Sequence, residues 1–264
     1  MKKLLLAMAA VAMIFVGCSK DDDKTIDNLG EKIFGRWINA EMDGMLVQTN
    51  QKMVMNFLSD TKAVVSASFN DEPEGWLDFV ESDVVIEGNK ITMTNTNDEY
   101  AQVVSEYTIS SINDREFTAI HKLTVIINGV LREAFELPVR YVKVNVDYSA
   151  AILGMWEGRS TGEDSEFDDG KNHRWEYLAD STFHYFHKEN DRWQISDDAY
   201  AYYFVAGNLL CTRWKNEGAG QEEHREWWEI SSIENDTMNW TALRQREDGT
   251  TYTATFQMVK VSEN

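Results

Sequence analysis

The chain is poor in cysteine, in proline and in positive charge. Its 264 residues include 2 Cys, 2 Pro, and 25 Lys and Arg against 45 Asp and Glu, for a net charge of -20. Two cysteines build neither a disulfide framework nor a four-thiolate zinc site. The shortage of cations argues against nucleic acid, because phosphate binding relies on Lys and Arg. Pro/Gly-rich low complexity is absent, and 43% hydrophobic residues is too many for disorder. The sequence also lacks a nucleophile elbow, a phosphate loop, a His-Glu-x-x-His helix and a Cys pair. What remains is a chain long enough for a sizeable core in one or two domains, read as non-enzymatic and without a cofactor.

Hydrophobic runs are short, with one exception at the start. Lys2 and Lys3 precede an unbroken apolar stretch, Leu4 to Val16. Thirteen residues are too few for a bilayer, which needs roughly 20, but suit the core of a signal peptide. The run ends at Phe15-Val16-Gly17-Cys18, which resembles the lipobox of bacterial lipoproteins, with Phe15 in the place usually held by Leu. The resemblance implies a signal peptide over 1–17, a lipid on Cys18 and a tether over 18–27. The acidic cluster Asp21-Asp22-Asp23 that follows resembles the surface-export signal of Bacteroidota lipoproteins; the plain alternative is a solvated linker. The expected address is the outer membrane, through the lipid alone, facing outward. Cys211 is then left without a partner and reads as a buried, inert thiol.

The rest of the chain is written twice. Ile33-Phe34-Gly35-Arg36-Trp37 matches Ile152-Leu153-Gly154-Met155-Trp156, Gly88-Asn89 matches Gly207-Asn208, and Ile109-Ser110-Ser111-Ile112 matches Ile230-Ser231-Ser232-Ile233. Phe57 to Asp60 matches Tyr177 to Asp180, and Tyr141 to Val144 matches Met258 to Val261. Collinear matches at a near-constant offset of about 119 residues mark a duplication into domains 28–146 and 147–264. Within each half the pattern is strand: Thr251 to Phe256 alternates strictly, and Asn128-Gly129 and Asp248-Gly249 are hairpin turns. The fold expected is all-β, two tandem antiparallel up-and-down barrels, with any helix short and near Asp27–Ile33.

Each half opens with Gly-x-Trp, at Gly35 and Trp37 and at Gly154 and Trp156. With the duplication and the lipobox, this resembles the tandem lipocalin-like domains of Bacteroidota surface lipoproteins. The resemblance implies that Trp37 and Trp156 plug the closed ends of two barrels. It also implies a cation stacked on each indole: Arg140 over Trp37, and either no cap or Lys260 over Trp156.

The aromatic load is lopsided, with 11 Phe, Trp and Tyr in the first half and 19 in the second. Either the second barrel is filled by large side chains, or it presents an aromatic site for a small apolar or carbohydrate ligand. The residues nominated for that site are Trp175, Tyr177, Tyr185, Tyr202, Trp228 and Trp240. His121 and Arg244, at equivalent places, are candidate polar groups lining the two barrels. Trp227 and Trp228 are neighbours on one strand and must face opposite ways, as must Tyr202 and Tyr203. One of each pair should lie outside, against the other domain or in solvent. His184 and His187 cannot chelate together for the same reason, and no metal is expected. The acidic loop Gly162–Gly170 lacks the Gly and the Glu of an EF-hand and reads as solvated. The rival reading is a pair of filled barrels serving as a subunit of a cell-surface complex.

Overall fold

The computed structural model describes residues 26–69, 75–95, 101–162, 171–218 and 220–262. Cys18, most of the tether and the acidic loop from Glu163 onward lie outside them. Two antiparallel sheets follow one another along the chain, as the alternation and the hairpin turns require.

The first sheet comprises β1 (Gly35–Met42), β2 (Met45–Leu46), β3 (Met53–Phe57), β4 (Lys62–Ser68), β5 (Trp76–Glu87), β6 (Lys90–Asn95), β7 (Ala101–Ile112), β8 (Glu116–Ile127) and β9 (Val130–Val144). Neighbours in sequence are neighbours in space, and β9 returns to pair with β1 from Arg36↔Val144 to Met42↔Val139. That pairing closes a barrel of eight strands, with β2 as a short flap on β1. A short helix, α1 (Leu29–Ile33), precedes β1 and buries Leu29 and Ile33 in the barrel core. The turns fall where the sequence places them: Asn128 and Gly129 take φ of 52° and 71°, the positive pair a two-residue hairpin demands.

The second sheet comprises β10 (Gly154–Ser160), β11 (His173–Tyr177), β12 (Phe183–Glu189), β13 (Arg192–Ile195), β14 (Asp198–Ala206), β15 (Leu209–Asn216), β16 (His224–Glu234), β17 (Thr237–Gln245) and β18 (Thr251–Lys260). It curls in the order β13-β12-β11-β10-β18-β17-β16-β15-β14 and leaves β13 and β14 as edges. The reason is visible by comparison with the first sheet. β14 turns into β15 through Gly207-Asn208 as β5 turns into β6 through Gly88-Asn89, so β14 is the counterpart of β5 and β12 that of β4. The β4–β5 ladder runs from Lys62↔Asp83 to Ser68↔Trp76. Its counterpart is reduced to one bridge, Thr182↔Tyr202, supported by Tyr203 N–H donating to Ser181 O at 2.9 Å. β13 is an insertion that folds back on β12 from Phe186↔Ile195 to Glu189↔Arg192 and occupies the edge β14 would have used.

Both barrels repeat one device at their opening strand. Gly35 and Gly154 have φ of +101° and +106°, which only glycine adopts without strain. The indole N–H of Trp37 donates to Ile33 O, and that of Trp156 to Ile152 O, both at 2.6 Å. Lys143 Nζ stands 4.8 Å from the Trp37 ring centre and Lys260 Nζ 5.2 Å from that of Trp156. The expectation of Arg140 over Trp37 is therefore corrected. Register decides it: Lys143 is directly opposite Trp37 in the ladder, whereas Arg140 is opposite Glu41 and binds Glu41 and Glu116.

The barrels pack on each other through Ile38, Val54 and Val144 of the first and Phe204, Ala206, Leu209 and Cys211 of the second. Cys211 is buried there, and burial pushes its thiol pKa well up. Trp227, the outward member of its pair, donates its indole N–H to Ser68 O across this boundary at 2.6 Å. Lys52 and Glu229 bridge it at 2.8 Å.

Candidate functional site

The first barrel is packed with rings. Trp37 lies edge-on to Phe117 at 5.1 Å, Phe117 stacks on Tyr141 at 4.8 Å, and Tyr107 stacks on His121 at 4.3 Å. His121 is thus interior, in phase with Phe117 and Ala119. Burial lowers its pKa to about 4 and raises that of Tyr107 to about 12.

The second barrel holds a cavity of about 240 Å³. Alternation explains its walls. On β11 the inward positions are His173, Trp175 and Tyr177; on β12, Phe183 and Tyr185; on β16, Glu226, Trp228 and Ile230; on β17, Met238, Trp240 and Ala242. Five of the six aromatic residues nominated from sequence meet here: Trp175, Tyr177, Tyr185, Trp228 and Trp240. Trp175 stands 5.4 Å from Tyr185, 5.5 Å from Trp240 and 5.3 Å from Phe256, and Trp228 is 5.5 Å from Trp240. The planes cross at angles up to 85°, so the rings make a box and not a flat platform.

Tyr202 does not belong to this set. It is exposed on the outer face, stacked on Tyr200 at 5.6 Å and beneath Arg213 at 5.4 Å, while Tyr203 turns inward and donates its hydroxyl to Leu178 O. Core parity on β14 is carried by Ala201, Tyr203 and Val205; the intervening Phe204 and Ala206 are buried against the first barrel. Both faces of that end of the strand are apolar, so phase could not be read from composition.

The polar lining comprises Ser196, Asp198, Thr212, Asn216 and Glu226, none of which sequence reasoning nominated. Glu226 had a signal, its two-residue spacing from Trp228. Asp198 had none. From Ala201, Tyr203 and Val205, alternation would turn Ala199 inward and Asp198 outward, but a bulge between Asp198 and Tyr200 reverses the phase. Burial raises the carboxyl pKa of Asp198, and the charge of neighbouring Asp197 adds to it, against a smaller opposing pull from His184. Arg244 binds Glu226 at 2.7 Å and lies 4.7 Å from the Trp228 ring centre, so it holds the wall of the cavity without lining it. His173 Nδ1 and the Tyr185 hydroxyl are 2.8 Å apart. His184 pairs with Glu176 at 2.9 Å. No cluster of three metal-ligating side chains occurs among the described residues.

No family model and no curated protein matches the chain. Among solved structures it is similar to a double mutant of the vaccine antigen transferrin-binding protein B from Haemophilus parasuis Hp5. That match has 9% identity and a TM-score of 0.23, over 81% of this chain and 54% of the other. The chain thus spans about half the length of that protein.

Proposed function

We propose that the second barrel binds a small apolar or carbohydrate ligand in its aromatic cavity, and that the protein is a non-enzymatic lipoprotein of the outer membrane, facing outward. The observation that carries the binding reading is the broken β12–β14 ladder, which leaves an opening beside a cavity walled by rings. The domains are taken as 28–146 and 147–264, with the first, filled barrel as the spacer between anchor and site. Cys18 supplies the anchor.

Native mass spectrometry of the protein taken from its own host, released without its lipid, tests the binding reading. A reproducible bound small molecule, lost on Trp228→Ala in a folded chain, is expected. A bare mass, together with no thermal stabilisation by any member of an apolar and saccharide panel, would refute it and leave the spacer role standing alone.

A further inference from the structure

We infer that the ligand of the second barrel is an organic amine, held as its ammonium ion with an apolar body inside the aromatic box. This inference rests on the reading of the cavity as a binding site.

Three features of the wall select the class. First, the lining holds two carboxylates, Asp198 and Glu226, and neither lysine nor arginine. Glu226 is already held by Arg244. Asp198 Oδ1 is buried and has no hydrogen-bond partner within the described protein, next to the charge of Asp197. A carboxylate oxygen withdrawn from water and left unpaired is costly, and a cationic donor is the group that relieves it most. Second, the bulge between Asp198 and Tyr200 turns this side chain into the cavity against the phase of its strand. Third, the indoles of Trp175, Trp228 and Trp240 and the phenol of Tyr185 surround the space at crossed angles. The faces of such rings carry negative charge density and attract ammonium groups. A fatty acid, phosphate or nucleotide would bring a second negative charge to the same wall.

Size and one further atom narrow the class. A cavity of about 150 Å³ takes a single benzene ring; about 240 Å³ accommodates a ring with a short side chain. Trp240, 3% exposed, has an indole N–H without a partner within the described protein. A hydroxyl oxygen on the ligand would accept from it. An aryl-alkyl amine with a ring hydroxyl meets every requirement.

Calorimetric titration of the anchor-free chain with three probes of one shape tests this: tyramine (cation), tyrosol (neutral) and 4-hydroxyphenylacetate (anion). Tyramine is expected to bind about tenfold more tightly than tyrosol, and 4-hydroxyphenylacetate not at all. Asp198→Asn is expected to remove most of this preference, bringing tyramine to within about twofold of tyrosol measured on the same variant. Equal or tighter binding of tyrosol or of the anion overturns the amine class but leaves the binding reading intact. No binding of any probe overturns the amine class, and with a host-derived protein of bare mass it overturns the binding reading too.

Discussion

Acid is expected to destabilise the first barrel through His121. This ring lies against Tyr107 at 4.3 Å and Phe135 at 5.8 Å, its Nε2 has no partner among the described residues, and burial lowers its pKa from 6.5 to about 4. Between those two values the unfolded chain binds the proton and the folded chain does not, so stability falls as pH drops from about 6.5 to about 4. The full difference of about 2.5 units corresponds to about 3 kcal/mol, of which about 2 kcal/mol is already lost at pH 5. Carboxylates whose pKa is lowered in the fold, such as Glu106 beside Lys90, add their own losses at lower pH. The measurement is therefore a difference. Urea unfolding of the wild type and of His121→Phe is followed at pH 7 and pH 5. With a urea slope of about 2 kcal/mol/M, the wild-type midpoint should fall about 1 M further than that of the variant. Identical falls in the two proteins would refute the argument, as would an NMR titration placing His121 near 6.5.

Three other outcomes follow from contacts already described. Trp227→Phe keeps a ring at the boundary between the barrels but loses the bond to Ser68 O; it should cost about 1–2 kcal/mol and speed thiol labelling of Cys211, in a chain without Cys18, about tenfold. Gly158→Ala places a methyl 1.9 Å from Gln257 O and 2.6 Å from Met258 Cα, so the second barrel should fail to fold by near-UV circular dichroism. Gly30→Ala, which meets only Ile86 Cδ1 at 3.8 Å, should fold normally. Lys143→Met and Lys260→Met keep most of the stem over Trp37 and Trp156 but remove the charge; each should lower the urea-derived stability by about 0.5–1 kcal/mol.

The architecture was legible because it rests on local rules. Period-two alternation, Asn-Gly turns and a repeated Gly-x-Trp mark the strands, their order and their two-fold repetition without any long-range information. Alternation also divided Trp227 from Trp228 and brought Trp175, Tyr177, Tyr185, Trp228 and Trp240 to one cavity. It failed at β14, where two kinds of burial overlap. One face of Tyr203 to Ala206 packs inside its own barrel and the other against the first barrel, so the run is apolar throughout. Tyr202 was misplaced there, and the adjacent bulge hid Asp198. A bulge depends on how two strands meet, and the strand's own residues do not announce it.

The two halves share their buried Gly-x-Trp tryptophan, their hairpins and their strand order, so the difference between them has a narrow origin. It is the hairpin β12–β13, which removes the strand pairing that β4 and β5 retain. Each backbone hydrogen bond lost from that ladder gives up about 0.5–1.5 kcal/mol, and unpaired edges invite association with other chains. A second barrel whose only role was to fill space would be more stable closed, like the first. The rings that crowd the open barrel offset part of that loss, since their burial is the largest apolar contribution a side chain makes. They do not fill the space the opening creates, which remains a cavity of about 240 Å³ beside a carboxylate aimed into it. Closing the seam by deleting 188–195 and joining β12 to β14 should therefore raise the unfolding midpoint and abolish binding together.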